Sequence, residues 1–428
     1  MFPTLLIIVP GLVFSSLIFS SHNLKNKLPI ALGLGTGIFY FFTICLYLLT
    51  DLSFQGIANI YSVFSVTTAL IFFVTAKGYV QKVWSDFLNI THHPLILILA
   101  LGAFFLLTFW PPSGWDTITL YDFEAKLITD RTSFSQMLNL SQFDESNPTY
   151  YLSYPPLKSF IHAYYYHLNS NPVIYDFFAH LFTVFCLYLL IRTRGSVIQS
   201  LVLSIPYALN PIFINHIGFG YTNLIYAYLY FCLVYIIVCL TKFDLRLKYV
   251  FIFAFISSTL KLTRWVEPFY LIPVLSFMLI THGGVIKRIS YSAVYLLIIH
   301  LLTYHWNKIL ISVPNQFIES NISKNVSLLV NNSSYLLKAS NLFWTKFISY
   351  WPLLIIYLLF SVYLLVSKSS RPQKFLALVT ILVFVAMYVG SVFVFLQLPN
   401  RMEIFDSLNR LPMFLLPIVW GSLGLLLI

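Results

Sequence analysis

The chain has 428 residues, of which 59% are apolar and only 9% charged, and its mean hydropathy is +0.83. A soluble domain carries roughly a quarter charged residues because its surface faces water, so this composition excludes an ordinary soluble fold. The net charge of +11 does not point to nucleic acid, because the basic residues sit in short segments between apolar runs, which is the signature of membrane topology.

Apolar runs long enough to cross about 30 Å of hydrocarbon recur along the chain. In chain order they fall at 3–21, 30–50, 57–77, 94–110, 172–192, 196–214, 220–241, 249–263, 268–285, 289–306, 346–367, 374–396 and 412–428. The expected fold is therefore an all-α integral membrane protein, a polytopic bundle of about 13 transmembrane helices (range about 11–14) with a helical first outer loop. The first run lacks a basic start and a clean small-residue cleavage site, so it reads as a helix rather than a signal peptide. Cys45, Cys186, Cys232 and Cys239 all lie inside apolar runs without metal spacing or a paired framework, and read as small apolar residues.

Lys and Arg give the direction of the spans. With the amino terminus outside, the cytoplasmic loops hold Lys25 and Lys27, Lys77 and Lys82, Arg192 and Arg194, then Lys242, Arg246 and Lys248, Lys287 and Arg288, and finally Lys368, Arg371 and Lys374. The short outer loop at 51–56 has no basic residue. Two long segments remain outside, 111–171 and 307–345. In the first, 155–168 is apolar on one side and reads as a helix lying along the interface. The second carries Asn-x-Ser sites at Asn321, Asn325, Asn331 and Asn332, which serve equally as glycosylation acceptors or as ordinary polar loop residues. No internal repeat is visible, which disfavours transporters built from repeated halves.

Ionisable groups near membrane depth are functional candidates by default. The densest collection is Gly114-Trp115-Asp116-Thr117-Ile118-Thr119-Leu120-Tyr121-Asp122-Phe123-Glu124-Ala125-Lys126. If 116–126 is helical, Asp116, Leu120 and Phe123 share one face while Asp122 and Lys126 share another; an interfacial helix with solvated charges accounts for the spacing equally well. In Ser153-Tyr154-Pro155-Pro156-Leu157-Lys158 the prolines suit a helix start, and helix starts suit anions. Asn210-Pro211 and Gly218 to Asn223 break two spans. Lys261, Arg264 and Glu267 surround a turn, and Arg401, Glu403, Asp406 and Arg410 precede the final span, with Arg410 at its mouth. Each group alone reads as structural. Their convergence on the outer side is the informative feature.

The order of these motifs resembles the GT-C superfamily of polytopic glycosyltransferases, in particular bacterial relatives of the dolichyl-phosphate-mannose protein mannosyltransferases and the lipid A aminoarabinose transferases. The matching parts are Trp115-Asp116 with Tyr121 and Ala125-Lys126, Tyr154-Pro155-Pro156-Leu157, and Pro211 with Gly220-Tyr221-Thr222-Asn223. They continue with Lys261, Arg264 and Glu267, then Ser407-Leu408-Asn409-Arg410 with Leu411-Pro412 and Pro417. They cover 94–428, so 1–93 would be three leading transmembrane helices before a GT-C-like core. The resemblance implies an enzyme that transfers a sugar, with inversion, from a polyprenyl-phosphate donor to an acceptor hydroxyl on the non-cytoplasmic face. The acceptor would be a lipid, glycan or protein, and the setting a bacterial inner or plasma membrane.

On that resemblance Asp116 is the catalytic general base, and Lys158, Lys261, Arg264, Glu267, Arg410, Tyr121, Asp122 and Tyr154 are candidates for holding substrate or its phosphate. Asp116, Asp122 and Glu124 can offer oxygen ligands to Mg²⁺ or Mn²⁺, although no dedicated metal cage is visible. Two positions depart from the relatives. Asn223 stands where many have an acidic residue, and Tyr154 stands where some have Lys before the Pro-Pro pair. The alternatives are an O-antigen polymerase or ligase, disfavoured by the early acidic signal and the sparse His in 307–345, and a lipid-binding or transport protein without catalysis.

Overall fold

The computed structural model describes residues 2–20, 22–75, 117–130, 155–263, 269–281, 284–311, 333–397, 408 and 411–428, and all regular structure among them is helical. The leading helices are α1 (Phe2–Ile18), α2 (Leu24–Leu49) and α3 (Phe54–Thr75). A π turn at Thr117–Tyr121 runs into α4 (Asp122–Thr129), followed by α5 (Leu157–His167), α6 (Val173–Arg192), α7 (Val197–Ala208) and α8 (Pro211–Phe219). Next come α9 (Thr222–Tyr235, extended by a π turn at Ile236–Leu240), α10 (Leu247–Lys261), α11 (Ile272–Ile280) and α12 (Val285–Ile311). The chain ends with α13 (Ser333–Tyr350), α14 (Pro352–Val366), α15 (Arg371–Gln397) and α16 (Leu416–Leu426).

The central pillar is α9, buried at every position from Thr222 to Tyr235. It packs against α2, α6, α10 and α16. By contrast, α3, α12 and α14 turn rows of large apolar side chains outward, among them Val63, Leu70, Leu297, Leu301, Leu353, Leu359 and Val366. Such rows would drive a soluble protein to aggregate; in hydrocarbon they are the solvated face. The chain is a membrane-spanning protein whose described residues are all-helical in their regular structure.

Thirteen full-length spans are not what the structure gives. Among the described residues six helices are long and apolar enough to cross a membrane, or eight if each of two bent pairs counts as one. Phe2–Ile18, Phe269–Ile280 and Pro412–Leu426 are apolar but shorter, and the helix expected at 249–263 is the 15-residue α10. The span expected at 94–110 lies outside the described residues. Proline accounts for both bends. The run expected at 196–214 turns by 54° between α7 and α8, and the one at 346–367 by 104° between α13 and α14. At the first bend Asn210 accepts the Ile212 amide on its Oδ1 at 3.0 Å, Pro211 opens α8, and Gly220 closes it at φ 66°. An Asn cap, a first-turn proline and a left-handed glycine are the expected punctuation of a short helix. His180 donates Nε2–H to the Ala208 carbonyl at 3.0 Å, satisfying a group at the carboxyl end of α7.

Three features hold the leading helices to one another and to α9. Pro10 removes the amide that would bond Leu6, and the Leu6 carbonyl accepts instead from the Tyr61 hydroxyl (3.3 Å) and the Ser65 hydroxyl (2.6 Å) on α3. On α2 the Tyr228 hydroxyl inserts into the backbone ladder, donating to the Pro29 carbonyl at 2.7 Å and accepting from the Gly33 amide at 2.8 Å. Between α1 and α2 the backbones nearly touch, since a Cβ at Gly35 would stand 1.9 Å from the Ile7 carbonyl oxygen.

The two outer segments also differ from expectation. The helix at 155–168 exists as α5, but Leu157 to Tyr165 are all buried, whereas a helix lying along an interface would keep a wet face. In 307–345, α12 continues to Ile311 and α13 begins at Ser333, and 312–332 lie outside the described residues.

Candidate functional site

Pro155-Pro156 leads into α5, with the Phe160 amide bonding the Pro156 carbonyl at 2.9 Å. The four-residue spacing of Lys158, His162 and Tyr166 sets them along one face of this helix. Facing them, α4 carries Asp122 and Glu124 in its first turn, and α6 carries Asp176 in its own. The π turn before α4 adds a residue to the helical repeat. Leu120 is consequently buried while Phe123 is 45% exposed, so these two do not share the single face that a regular helix would give them.

Three acid-centred contacts result. Lys158 Nζ donates to both carboxylate oxygens of Asp176, at 2.6 and 2.7 Å, and both side chains are fully buried. The Ser159 hydroxyl donates to Glu124 Oε2 at 2.6 Å. His162 Nδ1–H and the Tyr166 hydroxyl both donate to Asp122 Oδ1, each at 2.7 Å. Asp122 keeps a side-chain exposure of 26% while His162 keeps 1%.

Neither α4 nor α5 is long enough to span a bilayer, and burial acts on the acid–base groups they carry. Desolvation pushes the Glu124 carboxyl up to about 8, against the opposing Ser159 hydrogen bond, so a neutral acid is favoured near pH 7. Desolvation also pushes the His162 imidazole down to about 4, with Asp122 opposing, which keeps the ring neutral. Burial lowers the Lys158 ammonium as well, and the Asp176 carboxylate opposes that shift.

Of the residues singled out in the sequence, Tyr121, Asp122, Glu124 and Lys158 come together here. The Tyr121 hydroxyl donates to Thr222 Oγ1 at 3.3 Å, tying the acidic helix to the start of α9, where Asn223 is also buried. Lys158 is committed to Asp176, and its ammonium is not presented to an incoming phosphate. Lys261 ends α10 with its ammonium 5.9 Å from the Tyr270 ring centre. Asp116, Tyr154, Arg264, Glu267 and Arg410 lie outside the described residues. Asp122 and Glu124 have different hydrogen-bond partners, and no group of three or more His, Cys, Asp or Glu side chains among the described residues is placed to hold a metal ion.

Sequence reasoning missed Ser159, His162 and Asp176. The Lys158-His162-Tyr166 spacing was a usable signal, because three polar groups recur there at helical period within an otherwise apolar stretch. Asp176 had no comparable local sign, since its partner lies on another helix. No protein-family profile matches this chain, and neither does any curated protein or solved structure.

Proposed function

We propose that this protein is a membrane glycosyltransferase that moves a sugar from a polyprenyl-phosphate donor to an acceptor hydroxyl on the non-cytoplasmic face, with inversion, in a GT-C-like bundle. The observation that carries the reading is the acidic helix α4. One face of it is drawn into the bundle, with Glu124 buried and Asp122 held against a buried imidazole, while Phe123 and Lys126 stay exposed on the other. Placing ionisable groups there is costly unless they are used. The transfer needs a base beside a lipid-accessible chamber, and a phosphate leaving group needs cations rather than a proton donor. The resemblance names Asp116, six residues before Asp122, as that base, and Lys261, Arg264 and Arg410 as cations for the phosphate. A lipid-linked donor gives a reason for a site inside a membrane bundle, since a polyprenyl chain can lie between helices.

The test is a transfer assay on purified protein with a panel of polyprenyl-phosphate sugars, with and without a chelator of divalent metals. Turnover with one donor is the expected result; with Asp116 as the base that the resemblance names, Asp116→Asn inserts and folds normally but loses transfer. Full activity of Asp116→Asn removes the base assignment. No turnover with any donor, in protein shown to be folded, leaves a lipid-binding protein as the better reading.

A further inference from the structure

The Asp122–His162 contact has the form of a carboxylate-oriented imidazole. Asp122 Oδ1 takes the Nδ1 proton of His162 at 2.7 Å and is itself fixed by the Tyr166 hydroxyl at 2.7 Å. That arrangement selects the tautomer in which Nε2 carries a lone pair. Nε2 is buried and has no hydrogen-bond partner among the described residues. A buried ring nitrogen normally finds a partner, so an orphan next to an oriented carboxylate suits a ligand hydroxyl. We infer that His162 Nε2, oriented by Asp122, and not the Asp116 that the resemblance names, is the proton acceptor for the acceptor hydroxyl in this site.

The inference rests on the transfer reaction proposed above and gives its proton a destination. As the hydroxyl oxygen bonds the anomeric carbon, its proton passes to Nε2. The bond from that carbon to the phosphate oxygen breaks, and the phosphate leaves with the electron pair. The charged and titratable groups facing the ring among the described residues are Asp122 on α4, Tyr121 in the preceding turn, and Lys158 and Tyr166 on α5 itself. Lys158 opposes protonation and Asp122 favours it. Burial outweighs the favourable contact, so the ring is neutral and ready to accept at physiological pH.

Two variants separate this role from a structural one. His162→Asn keeps an N–H for Asp122 but has no basic nitrogen; Asp122→Asn keeps the ring but frees it to adopt the other tautomer. In the donor assay His162→Asn should lower kcat by about 100-fold or more and abolish the fall in rate on the acid side of the pH profile. Asp122→Asn should lower kcat less and move that limb. An unchanged rate and acid limb in His162→Asn, with both lost in Asp116→Asn, overturns the inference in favour of Asp116. If the wild-type protein turns over no donor, the glycosyltransferase reading fails. ¹⁵N NMR of histidine-labelled protein in nanodiscs then judges the pair by itself: a neutral ring bearing its proton on Nδ1 upholds the proton-accepting Nε2, and an Nε2–H tautomer or a protonated ring at pH 7 overturns it.

Discussion

Around α2 the buried polar groups, Lys27 apart, are neutral: tyrosine, serine and threonine hydroxyls that reach backbone carbonyls or one another, as at Leu6, Pro29 and the Thr4–Tyr165 pair. Between α4, α5 and α6 they are ionisable, and a lysine, a histidine and three carboxylates share one small region. At Leu6 the hydroxyls repair what Pro10 takes away, since a chain in lipid must satisfy its own backbone, and at Pro29 a hydroxyl bridges a backbone carbonyl and amide. The ionisable set repairs nothing in the backbone. A buried ion pair stabilises little compared with an apolar pair of the same shape, because desolvation offsets the attraction. Stability accounts for the hydroxyls but not for the charges, and that asymmetry separates a scaffold from a site.

The comparison can be broken most forcefully at Asp176. Asp176→Ala leaves Lys158 buried without its counter-charge and should cost about 3–5 kcal/mol, whereas the double variant Lys158→Met with Asp176→Leu should recover most of that loss. Thermal unfolding in detergent measures both, and a double variant as unstable as the single one would make the pair a structural necessity. In the scaffold, Gly35→Ala drives a methyl into the Ile7 carbonyl oxygen and should cost about 1–3 kcal/mol, read in the same way. Tyr228→Phe removes one hydroxyl but lets the Gly33 amide close on Pro29 directly, so about 1 kcal/mol is expected.

The sharpest test belongs to Glu124. Its folded-state value is raised from 4.5 to about 8, so the folded protein holds this proton more tightly than the unfolded chain does. That contribution is complete below pH 4.5 and is lost as pH rises through about 8. Glu124→Gln should therefore fold much like the wild type at pH 5 and show a flatter stability profile between pH 5 and 9. Identical slopes in the two proteins would mean that Glu124 is not held neutral.

Much of the scaffold was legible in the sequence because its signals are local. Apolar runs marked the helices, Asn210-Pro211 and Gly220 marked a break, and Pro155-Pro156 marked the entry to α5. The span count was less legible, because run length does not reveal that a proline such as Pro211 or Pro352 bends the run by 54° or 104°. The site was half legible. Its acidic helix stood out in sequence, but Lys158 pairs across 18 residues, Ser159 across 35 and His162 across 40. Such partners are chosen by helix packing, which no local pattern encodes. Burial, too, is a tertiary property: α5 looked two-faced and is enclosed on nearly every side.

The Tyr228 hydroxyl set into α2 also bears on how the molecule is made. Its two partners, Pro29 and Gly33, lie 199 and 195 residues earlier in the chain. At ordinary synthesis rates the ribosome delivers Tyr228 about 10–40 s after α2 has emerged. During that interval α2 enters the bilayer without the group that completes its first turns. Until then the Gly33 amide can close on the Pro29 carbonyl directly, and the hydroxyl must later open that bond to enter. The arrival of α9 therefore exchanges one backbone bond of α2 for two to Tyr228, which makes the central pillar a late partner of the oldest part.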